Sequence, residues 1–256
     1  MSCQLTILGC SGGIGGQNRT TSFLLNQHIL IDAGTGVGDL SLAQLQAIDH
    51  VFVTHAHLDH IACLPLLLDA IVGMRTTPVY VHATAVTIEL LKTHIFNWLI
   101  WPDFSQIPSA ENPSLVFVAH ELGERRTIGA VTVTPLPALH TIPAVAFQLE
   151  SAESSIVFSG DTVASEAFWA AVNQIDPLKA LIIETAFSNK EHALAAAAKH
   201  LCPSTLAEQL QHWRGGAEVL ITHLKPGESE LTLQEVLALD HEHPIRGLLQ
   251  GETIRF

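Results

Sequence analysis

The sequence predicts an α/β fold in a single domain that spans residues 1–256, and three observations support this prediction. Short apolar runs of strand length alternate with longer amphipathic segments, as they do in α/β proteins. The chain has 256 residues, of which 48% are hydrophobic, and this is enough for one large core. No linker, low-complexity stretch or obvious repeat divides it, and the nearest to a loop-rich insertion is Trp101–Pro113.

The period of the apolar residues assigns the individual elements. Short apolar runs between turn-forming residues predict strands at Gln4–Leu8, Thr21–Leu25, Ile29–Asp32, Val51–Thr54, Val79–His82, Leu115–Ala119, Val131–Pro135, Val145–Leu149, Ser155–Ser159, Ala180–Glu184, Val219–Thr222 and Arg246–Leu249. Segments with helical periodicity predict helices at Leu40–Gln46, Ile61–Val72, Ala85–Asn97, Ser165–Gln174, Lys190–His200, Ser204–His212 and Leu231–His241.

The segment Thr54–His60 holds four strong metal ligands directly after the apolar run His50–Val53. His55 and His57 are two residues apart, so they point the same way from an extended strand end. Asp59 and His60 follow at the start of a helix. One metal cannot easily take all four ligands, whereas two metals a few ångströms apart can, and such pairs hydrolyse esters and phosphodiesters. A solvated turn without metal would be better served by Lys and Arg.

Three further ligands stand at predicted strand ends, where a rigid element can aim them. These are His140, Asp161 and His223. The combined set holds five His and two Asp side chains, which suit Zn²⁺, with Mn²⁺ or Fe²⁺ as alternatives.

With these residues the sequence strongly resembles the metallo-β-lactamase-fold hydrolases. The family signature His-x-His-x-Asp-His corresponds to His55–His60, and the later motifs are the single His140, Gly160-Asp161-Thr162 and His223. The resemblance implies a four-layer αββα sandwich with two divalent metal ions at one edge, between the sheets. It implies that one metal is held by His55, His57 and His140, that the other is held by Asp59, His60 and His223, and that Asp161 bridges them.

Within this fold, local motifs are most similar to the class II 3′,5′-cyclic-nucleotide phosphodiesterases. They are His57-Leu-Asp-His-Ile61, the acidic segment that begins at Ile183-Glu184, and Ile221-Thr-His-Leu-Lys-Pro226. The chain departs from the family pattern at Cys63, where Gly or Ser is common, and at Lys199 and Cys202, which replace Gly and Thr. The resemblance implies hydrolysis of cyclic nucleotides to 5′-nucleotides, with cyclic AMP as the first substrate to test.

The implied mechanism uses a hydroxide that bridges the metals and attacks phosphorus in line, while the metals neutralise developing charge. Asp59 is expected to orient this hydroxide. His200 is the candidate proton donor to the leaving ribose oxygen, held by Glu184. The alternatives are a His200 that only stabilises a helix C-terminus and a Glu184 that is a plain strand-end carboxylate.

The charge of the chain bears on the substrate. The net charge is −13 with only 12 Lys and Arg, and the densest basic spot is Arg125-Arg126. A protein that binds a long polyanion neutralises many phosphates with a basic stripe, so stable nucleic-acid binding is not expected. A small phosphodiester remains compatible, because bound metals supply positive charge locally. The same argument, with the lack of a basic inserted arm, places a ribonuclease Z-like RNA 3′-processing endonuclease second.

Other function classes stay open at this point. The fold also hosts thioester and lactone hydrolases, and a metal-stabilised binding module without activity is a further alternative, which the complete ligand set disfavours. No apolar run reaches the length of a membrane span and no signal peptide is visible, so we expect a cytoplasmic protein. Its four cysteines form no Cys-x-x-Cys pair and are expected to be free thiols.

Three remaining segments have two interpretations each. The glycine-rich Leu8–Gly16 is expected to form one wall of the active site; a dinucleotide-binding turn would need a helix directly after it. The aromatic segment Phe96–Phe104 fits core packing, or else a lid or a homodimer contact. His241 and His243 resemble a metal pair but are expected to be solvated, and the other histidines lie outside any ligand pattern.

Overall fold

The computed structural model describes residues 2–239 and 242–256, and it consists of two mixed sheets packed face to face with helices on both outer faces. This is the four-layer αββα arrangement that the resemblance implied. The first sheet has the strand order β14-β1-β2-β3-β4-β5-β6. Its strands are β1 (Gln4–Gly9), β2 (Ser22–Leu25), β3 (Ile29–Ile31), β4 (His50–Phe52), β5 (Val79–Ala83), β6 (Leu115–Ala119) and β14 (Thr253–Arg255).

The second sheet has the order β13-β12-β11-β10-β9-β8-β7. Its strands are β7 (Arg126–Ile128), β8 (Val131–Pro137), β9 (Val145–Glu150), β10 (Ser155–Phe158), β11 (Leu178–Glu184), β12 (Glu218–Thr222) and β13 (Ile245–Gly247). The α-helices are α1 (Leu42–Gln46), α2 (Leu58–Ile61), α3 (Leu64–Ile71), α4 (Ala85–His94), α5 (Glu166–Val172), α6 (His192–Ala198), α7 (Pro203–Leu210) and α8 (Ser229–Leu237). Short 3₁₀ helices occupy Thr35–Asp39 and Asn189–Glu191.

Successive side chains of a strand point to opposite faces of the sheet, so one strand can contribute residues to two cores. On β4 and the residue that follows it, Val51 and Val53 face outward and pack with α3 and α4. Phe52 lies between them in sequence and faces the second sheet, where it joins the core between the sheets. Strands buried on both faces are apolar throughout, which is why β4 reads as a continuous apolar run.

Strand direction brings the ends of the ligand-bearing strands together. Strands β3 to β6 are parallel to one another in the first sheet, and β10 to β13 are parallel in the second. Strand β8 runs in the same direction as β10, because both are antiparallel to β9. The carboxyl ends of parallel strands meet at one edge of a sheet, so the residues that follow β4, β8, β10, β11 and β12 converge there.

The structure differs from the predicted elements in a few places. The predicted helix Ile61–Val72 is two helices, because the amide of Cys63 donates to Ala33 O (2.8 Å) and not to a carbonyl one turn earlier. Strands β7 and β14 were not predicted. The other predicted elements are present with ends shifted by a few residues. The predicted end of the last helix at His241 lies outside the described residues.

Two further expectations concern the cysteines and membranes. All four cysteines are free, and three of them are buried. Cys63 caps α3 and Cys202 precedes α7 within a small buried cluster. Among the described residues, none forms part of a helix that combines the length and the apolar character needed to cross a membrane.

Candidate metal centre

The seven predicted ligands lie together at the edge where the strand ends converge. They form two groups, each with one donor atom per residue and all donor atoms of a group within 4.8 Å of one another. One group is His55, His57, His140 and Asp161; the other is Asp59, His60, His223 and Asp161. This division is the one that the resemblance implied, and Asp161 is shared as expected.

The first group is built from imidazole nitrogens that face one another. His57 Nδ1 lies 3.0 Å from His55 Nε2 and 3.2 Å from His140 Nε2. Asp161 Oδ2 is 3.7 Å from His55 Nε2 and 3.9 Å from His140 Nε2. Three ring nitrogens that converge on one space cannot satisfy one another as hydrogen-bond donors and acceptors. Their lone pairs and the carboxylate therefore fit a cation.

The second group uses the other oxygen of the same carboxylate. Asp161 Oδ1 is 3.2 Å from His60 Nε2 and 3.4 Å from His223 Nδ1. Asp59 Oδ2 completes the group at 3.7 Å from His223 Nε2. The buried His60 Nε2 makes no hydrogen bond to any described residue, which is a further sign that this nitrogen is placed for a cation.

The pKa values of these residues show where the site stabilises positive charge. Burial lowers the pKa of His55 well below its usual range, and it lowers the pKa of His223 to about 3, so both imidazoles are neutral and present a lone pair. Burial also disfavours a charged His60, but Asp161 and Asp32 outweigh it and hold the pKa of His60 well above the usual value. Burial alone would raise the pKa of Asp161, but the surrounding histidines outweigh it and hold that pKa well below normal.

Asp32 is a site residue that the sequence analysis did not select. It is fully buried after β3, and its Oδ2 accepts from His60 Nδ1 at 2.7 Å. The backbone amide and the hydroxyl of Thr54 each donate to its carboxylate at 2.8 Å. A carboxylate behind a ligating histidine fixes the ring and its tautomer. The available signal was an acidic residue directly after a buried strand that neighbours the His-rich segment.

Glu184 and His200 form a pair beside the two ligand groups. Glu184 lies at the end of β11, is fully buried, and its Oε1 is 2.8 Å from His200 Nδ1. The backbone amides of Thr162, Ala186 and Leu201 also donate to this carboxylate. Burial lowers the pKa of His200, but Glu184 more than compensates and raises it above the usual value. The His200 ring stacks on the His223 ring, with 5.3 Å between the ring centroids.

Lys199 holds His140 through two contacts. His140 Nδ1 donates to the backbone carbonyl of Lys199 at 3.0 Å, and Lys199 Nζ donates to the carbonyl of His140 at 3.2 Å. Lys199 follows α6 in the left-handed region (φ 51°, ψ 53°), which turns its carbonyl toward the site. This is the position at which the phosphodiesterase pattern has Gly, the residue that adopts this conformation most easily.

The glycine-rich segment after β1 packs against the site, as expected of an active-site wall. Its chain continues to β2 without the helix that a dinucleotide-binding turn requires. A Cβ on Gly12 would meet the carbonyl oxygen of His223 at 2.4 Å, so a larger residue cannot be placed there without movement. Lys225 Nζ donates to Gly12 O at 2.7 Å and lies 3.9 Å from Asp59 Oδ2.

Three other histidines lie away from this centre: His82 and His120 are buried and His50 is half-buried. We call His50, His82 and His120 the inter-sheet histidines, because His82 stacks on Phe52 and His120 packs edge-on against Phe147 in the core between the sheets. His50 Nδ1 is 3.0 Å from His82 Nε2. His82 Nδ1 and both nitrogens of His120 make no hydrogen bond to a described residue. Burial lowers the pKa of His82 to about 3 and that of His120 to about 4.

The two segments with open interpretations have mixed outcomes. Phe96 and Phe104 are buried in the outer core of the first sheet, whereas Trp98, Leu99 and Ile100 are exposed between them. Core packing is thus confirmed for the ends of this segment, and the homodimer stays a prediction. His243 is half-buried against Trp213 (4.3 Å between ring centroids), so its side chain is only in part solvated. His241 lies outside the described residues.

Comparison with known proteins places the chain in a family. Residues 27–224 match the beta-lactamase superfamily domain. A probable 3′,5′-cyclic-nucleotide phosphodiesterase of Yersinia pestis is 24% identical over 274 residues, which cover 87% of this chain and 78% of that protein. The probable metallo-hydrolase YhfI of Bacillus subtilis is 26% identical over 237 residues, which cover 86% of each chain.

Solved structures show the same fold. The crystal structure of YhfI superposes with a TM-score of 0.79 at 19% identity and covers 100% of this chain and 99% of that one. Unliganded yeast PDE1 gives 0.80 at 21% identity, covering 98% and 99%. The short form of human tRNase Z gives 0.69 at 17% identity, covering 98% of both chains. Because the superfamily domain matches most of the chain and the His/Asp cluster suits divalent metal ions, this protein belongs to the beta-lactamase superfamily and is a metallo-hydrolase of the metallo-β-lactamase fold.

Proposed function

We propose that this protein is a metal-dependent phosphodiesterase that hydrolyses 3′,5′-cyclic nucleotides to 5′-nucleotides, with cyclic AMP as the first substrate to test. The observation that carries the proposal is the shared carboxylate: Asp161 presents Oδ2 to His55 and His140, and Oδ1 to His60 and His223. Two cations held by one carboxylate would suit an in-line displacement at phosphorus, in which charge on both the attacking and the leaving oxygen is neutralised.

The roles of the ligands follow the two groups. His55, His57 and His140 would hold one cation, Asp59, His60 and His223 the other, and Asp161 both. When bound, the two cations supply Lewis acidity and lower the pKa of coordinated water toward neutrality. Zn²⁺ is the first candidate for this nitrogen-rich set, with Mn²⁺ or Fe²⁺ as alternatives.

The chain's own residues would supply orientation and the proton. Asp59 is 26% exposed at the open side of the second group, so it is placed to orient the attacking water. The attacking water gives up a proton to the solvent and its oxygen bonds to phosphorus; the bond from phosphorus to the ribose 3′ oxygen breaks, and that oxygen takes up a proton from His200. His200 would donate the proton from Nε2, because its Nδ1 is bonded to Glu184, which keeps the ring protonated and oriented beside His140 and His223.

The surface charges favour a small substrate over RNA. Arg125 and Arg126, the densest basic spot, pair with Glu150 and Glu124. Their charge is thus locally compensated, and the chain as a whole carries −13. A ribonuclease Z-like endonuclease remains the second candidate, since a solved tRNase Z shares the fold. Thioester or lactone hydrolysis ranks below both.

The test is product analysis with the purified protein loaded with Zn²⁺ or Mn²⁺ and incubated with 3′,5′-cyclic AMP. Formation of 5′-AMP rather than 3′-AMP, lost in Asp161→Ala, would support the proposal and identify the bond cleaved. Absence of turnover in a sample shown to hold two metals per chain would contradict it. Precursor transfer RNA and acyl-thioesters, assayed in the same sample, test the alternatives.

A further inference from the structure

We propose that an apolar cleft beside the metal centre receives the nucleobase of the substrate and holds it without selecting between purines. The inference rests on the proposed function and adds how the substrate is bound. The cleft has a volume of about 210 Å³. Its walls are mainly aliphatic, and they include Leu58, Ile61, Leu90, Leu91, Ile95 and Ile142.

Residues that line the cleft are sequence neighbours of the metal ligands. Leu58 lies between His57 and Asp59, and Ile142 follows His140 by two residues. In the single turn of α2, Leu58 and Ile61 are three residues apart and share a face, which lines the cleft. The two residues between them, Asp59 and His60, are candidate metal ligands and lie on the other side of the turn. The same helix turn therefore separates an apolar surface from a metal-binding surface.

The cleft has the size and the exposure expected for one ring system. Sites that enclose whole drug-sized ligands measure about 300–1,000 Å³, so this cleft fits only part of a substrate. The Leu58 side chain is 68% exposed at its rim, and covering such apolar surface with a flat base is favourable. A larger cavity of about 500 Å³ lies near Pro78, Val79 and Ser114, at the opposite ends of the strands, where a substrate bound to the metals cannot reach.

The chemistry of the lining argues against selection of one base. Of the described residues that line the cleft, His94 at the end of α4 is the one with a polar side chain, and it is exposed. A site discriminates strongly between similar ligands when buried polar groups are left unpaired by the wrong one. One exposed imidazole does not provide this. We therefore expect cyclic AMP and cyclic GMP to differ by less than about tenfold in kcat/KM.

The experiment compares two substrates, 3′,5′-cyclic AMP and ribose 3′,5′-cyclic phosphate, which lacks the base. Wild type is expected to prefer cyclic AMP by about tenfold or more in kcat/KM. In Leu58→Ser this ratio should fall toward one, mainly through a higher KM for cyclic AMP, and Leu58→Met should restore it. Leu237→Ser is the matched control, because Leu237 is a similarly exposed leucine (52%) on α8.

The outcomes separate this inference from the function on which it rests. An active enzyme whose preference for cyclic AMP is unchanged in Leu58→Ser, with melting temperature and metal content also unchanged, would overturn the subsite alone. A preference of more than about a hundredfold between cyclic AMP and cyclic GMP would overturn the lack of base selection. No turnover of either cyclic phosphate by the metal-loaded wild type would overturn the proposed function and the subsite with it.

Discussion

The metal centre and the inter-sheet histidines are two groups of buried imidazoles with opposite surroundings. In the metal centre, Asp161 and Asp32 face the histidines, and the pKa of His60 rises well above normal despite complete burial. Around His82 the neighbouring charges are other histidines and Arg126, and burial holds its pKa at about 3. The contact with buried carboxylates thus distinguishes the metal-centre histidines, since burial lowers the pKa of His223 to about 3, as it does that of His82. The inter-sheet histidines remain neutral packing groups.

The largest expected effect comes from removing the central carboxylate. In Asp161→Ala both ligand groups lose the carboxylate that they share, so metal content should fall from two ions to at most one per chain, with activity below detection. Elemental analysis of protein purified in parallel measures this. His120→Phe changes the other group of histidines and should keep two ions per chain. Equal metal loss in both variants would contradict the contrast between the two groups.

A smaller loss is expected at the pair beside the centre. If His200 protonates the leaving oxygen, His200→Ala should lower kcat for cyclic AMP by about 10²–10⁴-fold. Bis(p-nitrophenyl) phosphate has a leaving group that needs no proton, so its kcat should fall far less. Steady-state kinetics with both substrates decide the point. Equal losses would indicate that His200 only supports the fold of the site.

The carboxylate behind His60 should matter less than the ligands themselves. Asp32→Asn keeps the shape and the hydrogen bond from the Thr54 amide but removes the charge that orients His60. Loss of such a partner costs about 10–100-fold in metal affinity. Competition with a chromophoric chelator measures this directly, with the exposed Asp39→Asn, whose carboxylate pairs with Arg19, as the control. Unchanged affinity would show that Thr54 alone positions the ring.

The inter-sheet histidines should make the fold sensitive to acid. Because the folded pKa of His120 (about 4) lies below its unfolded value near 6.5, the unfolded state binds more protons as pH falls between these values. Glu124 raises and Arg126 lowers this pKa, but burial dominates. From pH 7 to pH 5 the free energy of unfolding should drop by about 1–2 kcal/mol more in wild type than in His120→Phe. Urea unfolding at both pH values tests this, and parallel pH curves would contradict it.

The same contrast explains what could be predicted from the sequence. The ligands were predictable because each lies within a few residues of the end of an apolar strand, as His140 follows β8 and His223 follows β12, or in the helix α2 that comes next, and strand ends of one direction meet at one edge. The burial of His82 and His120 was not, because it depends on which strands of the second sheet face them. Phe147, which packs on His120, lies 27 residues later and in the other sheet.

A few observed features were not predicted because they depend on contacts that the hydrophobic period of the sequence does not indicate. Strands β7 and β14 have three residues each, lie at sheet edges, and exist through pairing with β8 and β1. The break before α3 arises because the amide of Cys63 bonds to Ala33 in another element. Asp32 was visible as a residue, but its role depends on the contact with His60, which lies 28 positions away.

The left-handed conformation of Lys199 has a consequence for how this position can vary. Its carbonyl reaches His140 because of the backbone torsion, and the side chain adds a second contact from the outside. Gly adopts that torsion freely, Asn adopts it with little cost, and β-branched residues adopt it poorly. The torsion angle is therefore the first requirement at this position: Gly meets it at lower cost than Lys, whereas Lys adds a side-chain contact to His140 that Gly lacks.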